Sequence, residues 1–598
     1  MATIPLGRYL WERIHQVGVD TIIGVPGDFN LDFLDYIYDV EGLRFVGSAN
    51  ELNGAYAADG YARVKNVPGV MVTTHGVGEL SALNGIAGAH SEQVKLIHVV
   101  GQTTRAMQDN HMLIHHSIDS DQPDHSVYSK MSKLARVDEA QLWDVKEAPA
   151  QIDRVIRSCF LKSRPVYIFL PLDLSGEHVP ADLLKKPLDV SPPVDAKTQD
   201  AAVSAIIDAL SSAKNPSIFV DILTQRHNAV QETRDFVEKL QLPIYASNMA
   251  KGIVDDSNPN FVGILNGKWA LPGVFEAISK SDFVLVLGDL PGDTNSGFFS
   301  RGFNESKTAR VNVFDISVKG KKYEGTFIKP LLAKLVESVP AQWKPQATIP
   351  KLPTLEQSPE HPAHQVKKFP ENQITQSWMW DNIMSFVRSG DVVLGETGTT
   401  LFGIVDAKCP VPNVRFQTQT YYGSIGWATP AALGAELAQQ EISAQRKKQG
   451  EVDPKAARGR TILITGDGSM NLTMQEVGTM IKNGTRPIIF VLNNSGYTIE
   501  RVIHGAHQTA YNDINPASYQ YLLPLHQHPA PSTSYRRCAS KQELLNILAD
   551  PELADPKHLQ LVEIVLDKLD CPWRLLEIIK SRPGKVDELK AEGFLDKN

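Results

Sequence analysis

Cysteine is scarce in this chain. Four residues in 598 (Cys159, Cys409, Cys538 and Cys571) stand far apart, with no CxxC pair. That spacing supports neither a disulfide framework nor a structural zinc site, and it suits a reducing compartment. An excess of basic charge is missing too. A net charge of −8 argues against nucleic acid or an anionic membrane surface as the main partner. No run approaches the roughly 20 apolar residues of a membrane span. The first residues, MATIPLGRYLWERIHQ, lack the apolar core of a signal peptide and the Arg/Ser bias of a transit segment. The last, FLDKN, carry no SKL address or CaaX box. The expectation is a cytoplasmic protein. What is present is an ordinary globular composition, 42% hydrophobic and 21% charged, in a chain too long for one core. Three or four domains are expected.

Residues 1–180 alternate short apolar runs with helical segments. Strands are expected at 21–25, 43–47, 70–74, 96–100 and 166–170, and a helix from Glu51 to about Tyr61. That pattern predicts an α/β fold, a doubly wound parallel sheet covered on both faces. Active groups of such sheets gather beyond the strand C-termini, where Asp28, Glu51, His75 and the 111–116 segment fall. A proline-rich linker (PADLLKKPLDVSPP) precedes a second α/β domain at 194–340, with strands expected at 217–220, 243–246, 283–287 and 311–315. Residues 341–371 read as a second proline-rich, semi-rigid linker. A third domain follows at 372–598; it and the first are candidates for similar sheets of unlike sequence. Within it, the charged stretch 441–460 reads as an exposed, mobile loop without assigned chemistry.

The most informative stretch runs from 461 to 503: TILITGDGSMNLTMQEVGTMIKNGTRPIIFVLNNSGYTIERVI. It reads as a strand, a tight turn at Gly466-Asp467-Gly468, and a helix with Val477, Met480 and Ile481 on one face, stopped by Gly484. A second strand then ends at Asn493-Asn494-Ser495-Gly496. In a right-handed βαβ unit the two strand ends share one edge, so Asp467 and Asn494 emerge side by side. With a backbone carbonyl near Gly496 they offer three hard oxygens and no soft ligand, a set suited to Mg²⁺ completed by phosphates and water. The helix start after Gly468 favours an anion at the same place. Two rivals exist. A dinucleotide fingerprint needs a third glycine where Asn471 stands, and an acidic residue where the second strand ends in amides. An ordinary buried βαβ would explain GDG alone, but not GDG followed by NN at this distance.

That pairing resembles the signature of thiamine diphosphate enzymes. The passages GVPGDFN (24–30), ANELNGAYAADGYAR (49–63), IHHS (114–117), GETGTT (395–400), YGSIG (422–426), GDGS…NN and GYTIERVIHG (496–505) resemble the pyruvate decarboxylase family over essentially the whole chain. The resemblance implies a pyrimidine-binding domain, a middle domain and a diphosphate-binding domain, with thiamine diphosphate and Mg²⁺ as cofactors. It implies a homodimer or dimer of dimers with active sites at the subunit interface, and no nucleic-acid or membrane partner. The implied reaction is non-oxidative decarboxylation of a 2-oxo acid, pyruvate to acetaldehyde and CO₂, through a C2 carbanion and an enamine. Bulkier acids (phenylpyruvate, indolepyruvate or branched-chain) are the alternative substrates.

Carried over residue by residue, the resemblance implies the following roles. Glu51 sits against the pyrimidine ring, beside the small residues Gly54, Ala55, Ala57 and Ala58, which offer a surface for close approach. The Gly423 carbonyl accepts from the aminopyrimidine, and Ile425 wedges the cofactor into a bent shape. Thr397, Ser424, Gly466, Gly468, Ser469, Tyr497 and Ile499 complete the cofactor contacts; Asp467, Asn494 and Gly496 take the metal. Asp28 and His116 handle protons, His115 supports them, and Glu500 sits by the substrate carboxylate, since the reaction needs acids and bases near neutrality. Ile499, Thr294 and Leu401 join Asp28, His116 and Glu500 around the substrate.

Four departures from the yeast-type pattern stand out. Asp293-Thr294-Asn295 replaces a segment with a central Phe, and Leu401 replaces a smaller residue. The loop after His116 (SIDSDQPDHSVYSK) is longer and more acidic, which bears on lid closure. Leu223 stands where a substrate-sensing cysteine is found, so thiol-based activation is not expected there. Two other classes are weighed by single features. Carboligating acetolactate synthases lack the His-His pair, and a cofactor-holding relic is expected to lose Glu51 or Glu500.

Overall fold

Short β-branched runs form the spines of three sheets in the computed structural model, which describes residues 2–345, 347–451 and 458–596. The first sheet has strands Thr21–Gly24, Arg44–Gly47, Gly69–Thr73, Leu96–Gln102, Asp138–Gln141 and Val166–Pro171. Counted along the chain, they lie side by side in the order 2-1-3-4-6-5, and every pair is parallel. Gly69–Thr73 and Leu96–Gln102 are buried at every residue, as a sheet with both faces covered requires. The strand Asp138–Gln141 (DEAQ) was not anticipated; as an edge strand it needs no apolar run.

The third sheet has strands Val392–Gly395, Arg415–Thr418, Thr461–Gly466, Ile488–Asn493, Tyr535–Cys538 and Gln560–Val565. Its order is again 2-1-3-4-6-5, and it too is parallel throughout. The middle sheet has seven strands, five parallel and closed by the antiparallel hairpin Ile316–Val318 and Lys321–Tyr323. The strand expected at 311–315 instead ends at Val311. Asn312 and Asp315 close a turn there (Asn312 N–H to Asp315 O, 3.3 Å), and polar residues of this kind favour turns over strand.

The chain packs as two compact units, each discontinuous. One comprises Met1–Ser191, Trp427–Arg458 and Thr473–Arg486; the other comprises Pro192–Gly426, Gly459–Leu472 and Pro487–Asn598. In the first unit the helix Glu51–Lys65 lies against Ala428–Lys448 so closely that side chains are excluded. A Cβ on Gly60 would meet Ala431 O at 2.1 Å, and one on Gly434 would meet Ala57 O at 1.8 Å. The small residues after Glu51 therefore serve packing within the unit: Ala57 against this second helix, Ala55 against Gly85, and Gly54 against Met71. A buried pair, Asp59 and Arg63, is roofed by Trp427, whose Nε1–H donates to Asp59 (3.1 Å) while the Arg63 guanidinium covers its ring (4.5 Å).

Two expectations fail here. The 441–460 stretch is not a loop throughout: the helix continues to Lys448, built from good helix formers. Its Glu441 accepts from Tyr61 (2.7 Å), Thr21 and Lys65, so its charge is paired rather than solvated. Residues 452–457 of that stretch lie outside the described residues. The helix expected after Gly468 is two helices, Asp467–Thr473 and Glu476–Lys482. The break falls where the chain passes from one unit to the other.

Candidate active site

In the third sheet the strand order reverses between Val392–Gly395 and Thr461–Gly466, and the loops leaving those strands diverge. A cavity of about 370 Å³ opens there. Parallel pairing of Gly466 with Leu492 brings Asp467 and the loop after Asn493 to one edge. Backbone N–H groups of Gly468 (2.8 Å) and Gly496 (3.1 Å) donate to the two Asp467 carboxylate oxygens. Burial nonetheless pushes this carboxyl up to about 6. The nearby Arg501 guanidinium is occupied by Asn494 O (3.2 Å), Ser495 O (2.6 Å) and Asp513 (2.6 Å).

The Asn494 amide lies beside the Asp467 carboxylate. Its oxygen faces Gly496 O (2.7 Å) and Asp467 Oδ1 (3.2 Å), while its nitrogen faces Thr498 Oγ1 (2.9 Å). Three oxygens this close with no hydrogen among them repel one another. Exchanging the amide oxygen and nitrogen satisfies both sides when nothing is bound; with a cation among these groups the amide oxygen would turn inward to it. Carboxylate, amide and carbonyl oxygens are all hard donors, so the set fits Mg²⁺ with positions left for phosphate and water. Glycine is obligatory at 496: φ is +129°, and a Cβ would meet Asn512 O at 2.1 Å. At Gly466 a Cβ would find nothing within 4 Å, because the residue faces the open cavity.

Thr397, Gly423, Ile425, Gly468, Ser469, Tyr497, Ile499 and Glu500 line the same cavity, as do Thr294 and Leu401. Ser424 does not; its N–H is turned away to Gln419 Oε1 (2.8 Å). Ile425 is 37% exposed, so it is not core packing and stands free at the rim. Ile499 and Glu500 sit on the short helix Thr498–His504, which directly follows the loop bearing Asn494 and Gly496. Thr294 is held by Asn248, whose amide donates to its carbonyl (3.0 Å), while Asn295 turns inward to the buried Asp221.

The first sheet reverses order between Thr21–Gly24 and Gly69–Thr73. Beyond the first of these strands lies Asp28, whose carboxylate is 2.8 Å from His115 Nε2. The His116 ring is 4.5 Å from that of His115, and one ligating atom from each of the three residues falls within 4.8 Å of the others. Asp28 and His115 are more than half exposed. Glu51 opens the helix Glu51–Lys65, and its Oε1 lies close over Gly78, 3.1 Å from where a Cβ there would stand. The expected proton-handling groups thus stand in one unit, with Glu500 and the metal donors in the other.

Some residues around these sites went unread. Glu476 is fully buried and accepts from Ser48 (3.0 Å) and Asn53 (2.8 Å), bracketing the turn that launches Glu51. Its signal was an acid on the buried face of the Val477–Met480 helix. His75, noted only for its position, is 2% exposed, and burial lowers its imidazole to about 4, so it is neutral. With His125 and Tyr128 it borders a separate cavity of about 130 Å³. All four cysteines are buried, as is Leu223. Among the described residues no helix is long and apolar enough to cross a membrane.

Comparison with known proteins bears on both sheets. Three models match: "Thiamine pyrophosphate enzyme, N-terminal TPP binding domain" over residues 4–124, the central domain of the same enzymes over 203–326, and their C-terminal TPP binding domain over 405–524. Similar curated proteins include one named pyruvate decarboxylase from Candida glabrata, 40% identical over 97% of this chain and 98% of its own length. Pyruvate decarboxylase isozyme 2 of Saccharomyces cerevisiae is 38% identical over 96% of this chain and 98% of its own. The pyruvate decarboxylase of Kluyveromyces lactis is 40% identical over the same shares.

Proposed function

The chain belongs to the thiamine pyrophosphate enzymes, in the family of the fungal pyruvate decarboxylases, and from that premise we propose how its residues release CO₂ from pyruvate and leave acetaldehyde. It is a carboxy-lyase that uses thiamine diphosphate and Mg²⁺. Bound thiamine diphosphate supplies the nucleophilic carbon and the electron sink for loss of CO₂. The observation that carries the residue-level reading is the convergence of Asp467, Asn494 and Gly496 on one cavity whose wall also carries Glu500.

In this reading Asp467, Asn494 and the Gly496 carbonyl hold the metal, and the open floor at Gly466 admits the diphosphate. The Gly423 carbonyl and Ile425 orient the pyrimidine, and Glu51 holds the proton at its ring nitrogen. Glu500 stands beside the substrate carboxylate. Asp28 and His116 give and take the proton as the aldehyde forms and leaves, with His115 bonded to Asp28 in support. Ile499, Thr294 and Leu401 bound the space left for the substrate side chain.

The proton-handling groups are open to solvent in one unit and the metal donors rim a cavity in the other, each with exposed apolar neighbours such as Val77 and Ile425. That supports sites completed by a second copy of the chain, a homodimer or dimer of dimers. We read the chain as cytoplasmic, which its four free, buried cysteines support. The test is CO₂ release with Mg²⁺ and thiamine diphosphate across pyruvate, branched-chain and aromatic 2-oxo acids. Pyruvate is expected to be the preferred substrate; equal or faster turnover of phenylpyruvate or indolepyruvate would move the assignment to an aromatic 2-oxo acid decarboxylase.

A further inference from the structure

His115 and His116 are neighbours in sequence, and in extended backbone their side chains would point to opposite sides. They do not, because His116 has φ +71°, a left-handed conformation uncommon for a residue with a side chain. The turn closed by Ser117 N–H on the Ile114 carbonyl (3.2 Å) carries that dihedral, and one side chain anchors the turn from outside. The Tyr128 hydroxyl donates to the His116 carbonyl. Tyr128 is itself 3% exposed and seated against Gly76, where a Cβ would stand 2.7 Å from its ring.

Behind Tyr128 lies a run of packed rings. His75 meets Tyr128 edge-on (5.2 Å) and stacks on His125 (5.9 Å). His125 is fixed at both nitrogens, by Thr103 Oγ1 (2.9 Å) and by the Met112 carbonyl (3.0 Å), so it ties the start of the 112–125 loop to the strand edge. Phe29, next to Asp28, touches His75 edge-on (5.8 Å) and stacks on His115 (5.2 Å). The rings therefore run without a gap from the loop anchor to the pair that meets Asp28.

We propose that Tyr128, seated by His75 and His125, is the positioning residue that sets the backbone of His116 and so delivers the His115–His116 pair to Asp28. The proposal rests on the reading of that pair as proton-handling groups. Tyr128 touches no reacting atom; it acts through the His116 carbonyl. It also gives the unusually long, acidic loop a fixed point on its far side, at the start of the helix Val127–Ser132.

Tyr128→Phe keeps the ring and removes only the donor. In the full-length enzyme with Mg²⁺ and thiamine diphosphate, kcat is expected to fall between about 10- and 100-fold, the range for a catalytic group displaced by around an ångström. KM and cofactor affinity should hold, and the pH profile of kcat should shift. Amide hydrogen exchange of residues 113–118 should rise in the same variant. His116→Ala, measured alongside, gives the loss expected when the pair itself is broken. Unchanged kcat and pH profile in Tyr128→Phe would overturn the proposal, as would a fall in kcat without a rise in exchange. Should the parent enzyme release no CO₂ from any 2-oxo acid, the functional reading fails instead. The exchange measurement still decides between a loop set by Tyr128 (a rise) and one that is not (no change).

Discussion

The first and third sheets run through the same strand order, 2-1-3-4-6-5, and present opposite chemistry at the same edge. At the reversal in the third sheet stand glycines and hard oxygens: Gly466, Asp467, Asn494 and Gly496. At the reversal in the first stand imidazoles and carboxylates: Asp28, His115 and His116, with Glu51 in the same unit. The shared topology supplies a crevice and nothing more; the loop residues decide which chemical groups line it. Division of labour between two copies of one architecture is the reading this comparison supports.

Four measurements can break or sharpen it. The largest effect is expected for Glu51→Gln, which should lower CO₂ release by at least about 10³-fold while diphosphate binding survives; undiminished turnover would end the assignment of the first edge to chemistry. Next comes Asp467→Asn on the third edge. It should weaken Mg²⁺-dependent cofactor binding by more than about 100-fold, since even outer-shell changes at metal sites reach that figure. Calorimetric titration of thiamine diphosphate with and without Mg²⁺ would show it, and unaltered affinity would remove Asp467 from the metal site.

A smaller effect concerns stability, because each unit buries a carboxyl out of its usual range. Burial raises Glu79 from 4.5 to about 7 in the first unit, where the Ser132 hydroxyl and Arg136 only partly offset it. Burial likewise raises Asp570 from 3.8 to about 7 in the second. A raised folded-state pKa means that the folded chain binds the proton more tightly than the unfolded one. The stabilising contribution is therefore full below the ordinary carboxylate range and is lost as pH climbs through about 7. Glu79→Gln and Asp570→Asn should each melt progressively higher than the parent between pH 5 and pH 8, by about 1–3 kcal/mol at the upper end. A constant difference in melting temperature across that range would contradict the shift. The smallest effect is none at all. Burial pushes the thiols of Cys159 and Cys538, one from each unit, up to about 12, so iodoacetamide at neutral pH should leave activity and cooperativity unchanged. Loss of sigmoid kinetics on alkylation would reveal a thiol that the buried positions do not account for.

Much of the third edge was legible because its parts follow one another along the chain. Strand, GDG, strand and NN form a local pattern, and parallel pairing turns that order into adjacency. The resemblance reached the first edge through short runs too: GDF follows closely on a strand end, and IHHS lies in the loop beyond the helix Arg105–Asp109. What stayed hidden depends on partners remote in sequence. Glu441 reads as a solvated charge until Thr21, Tyr61 and Lys65 fold onto it. Glu476 reads as a helix surface until Ser48 and Asn53 cover it. His125 closes a polar loop and Tyr128 opens the helix after it, and the composition of both conceals a packed cluster of rings. The edge strand Asp138–Gln141 carried no hydrophobic period because an edge strand does not need one.

The glycine-lined contact between Glu51–Lys65 and Ala428–Lys448 also governs when the first unit can form during synthesis. Its first 191 residues hold a complete sheet, yet the helix that covers them leaves the ribosome much later, and the last piece of the unit ends at Arg486. At 5–20 residues per second, the wait for those roughly 300 residues is on the order of 15–60 s. Through that interval a face of glycine and alanine lies bare, with Asp59 and Arg63 paired but unroofed. Nascent chains stalled between about residues 200 and 420 should therefore be the ones a chaperone holds, and chains extended past 486 the ones it releases.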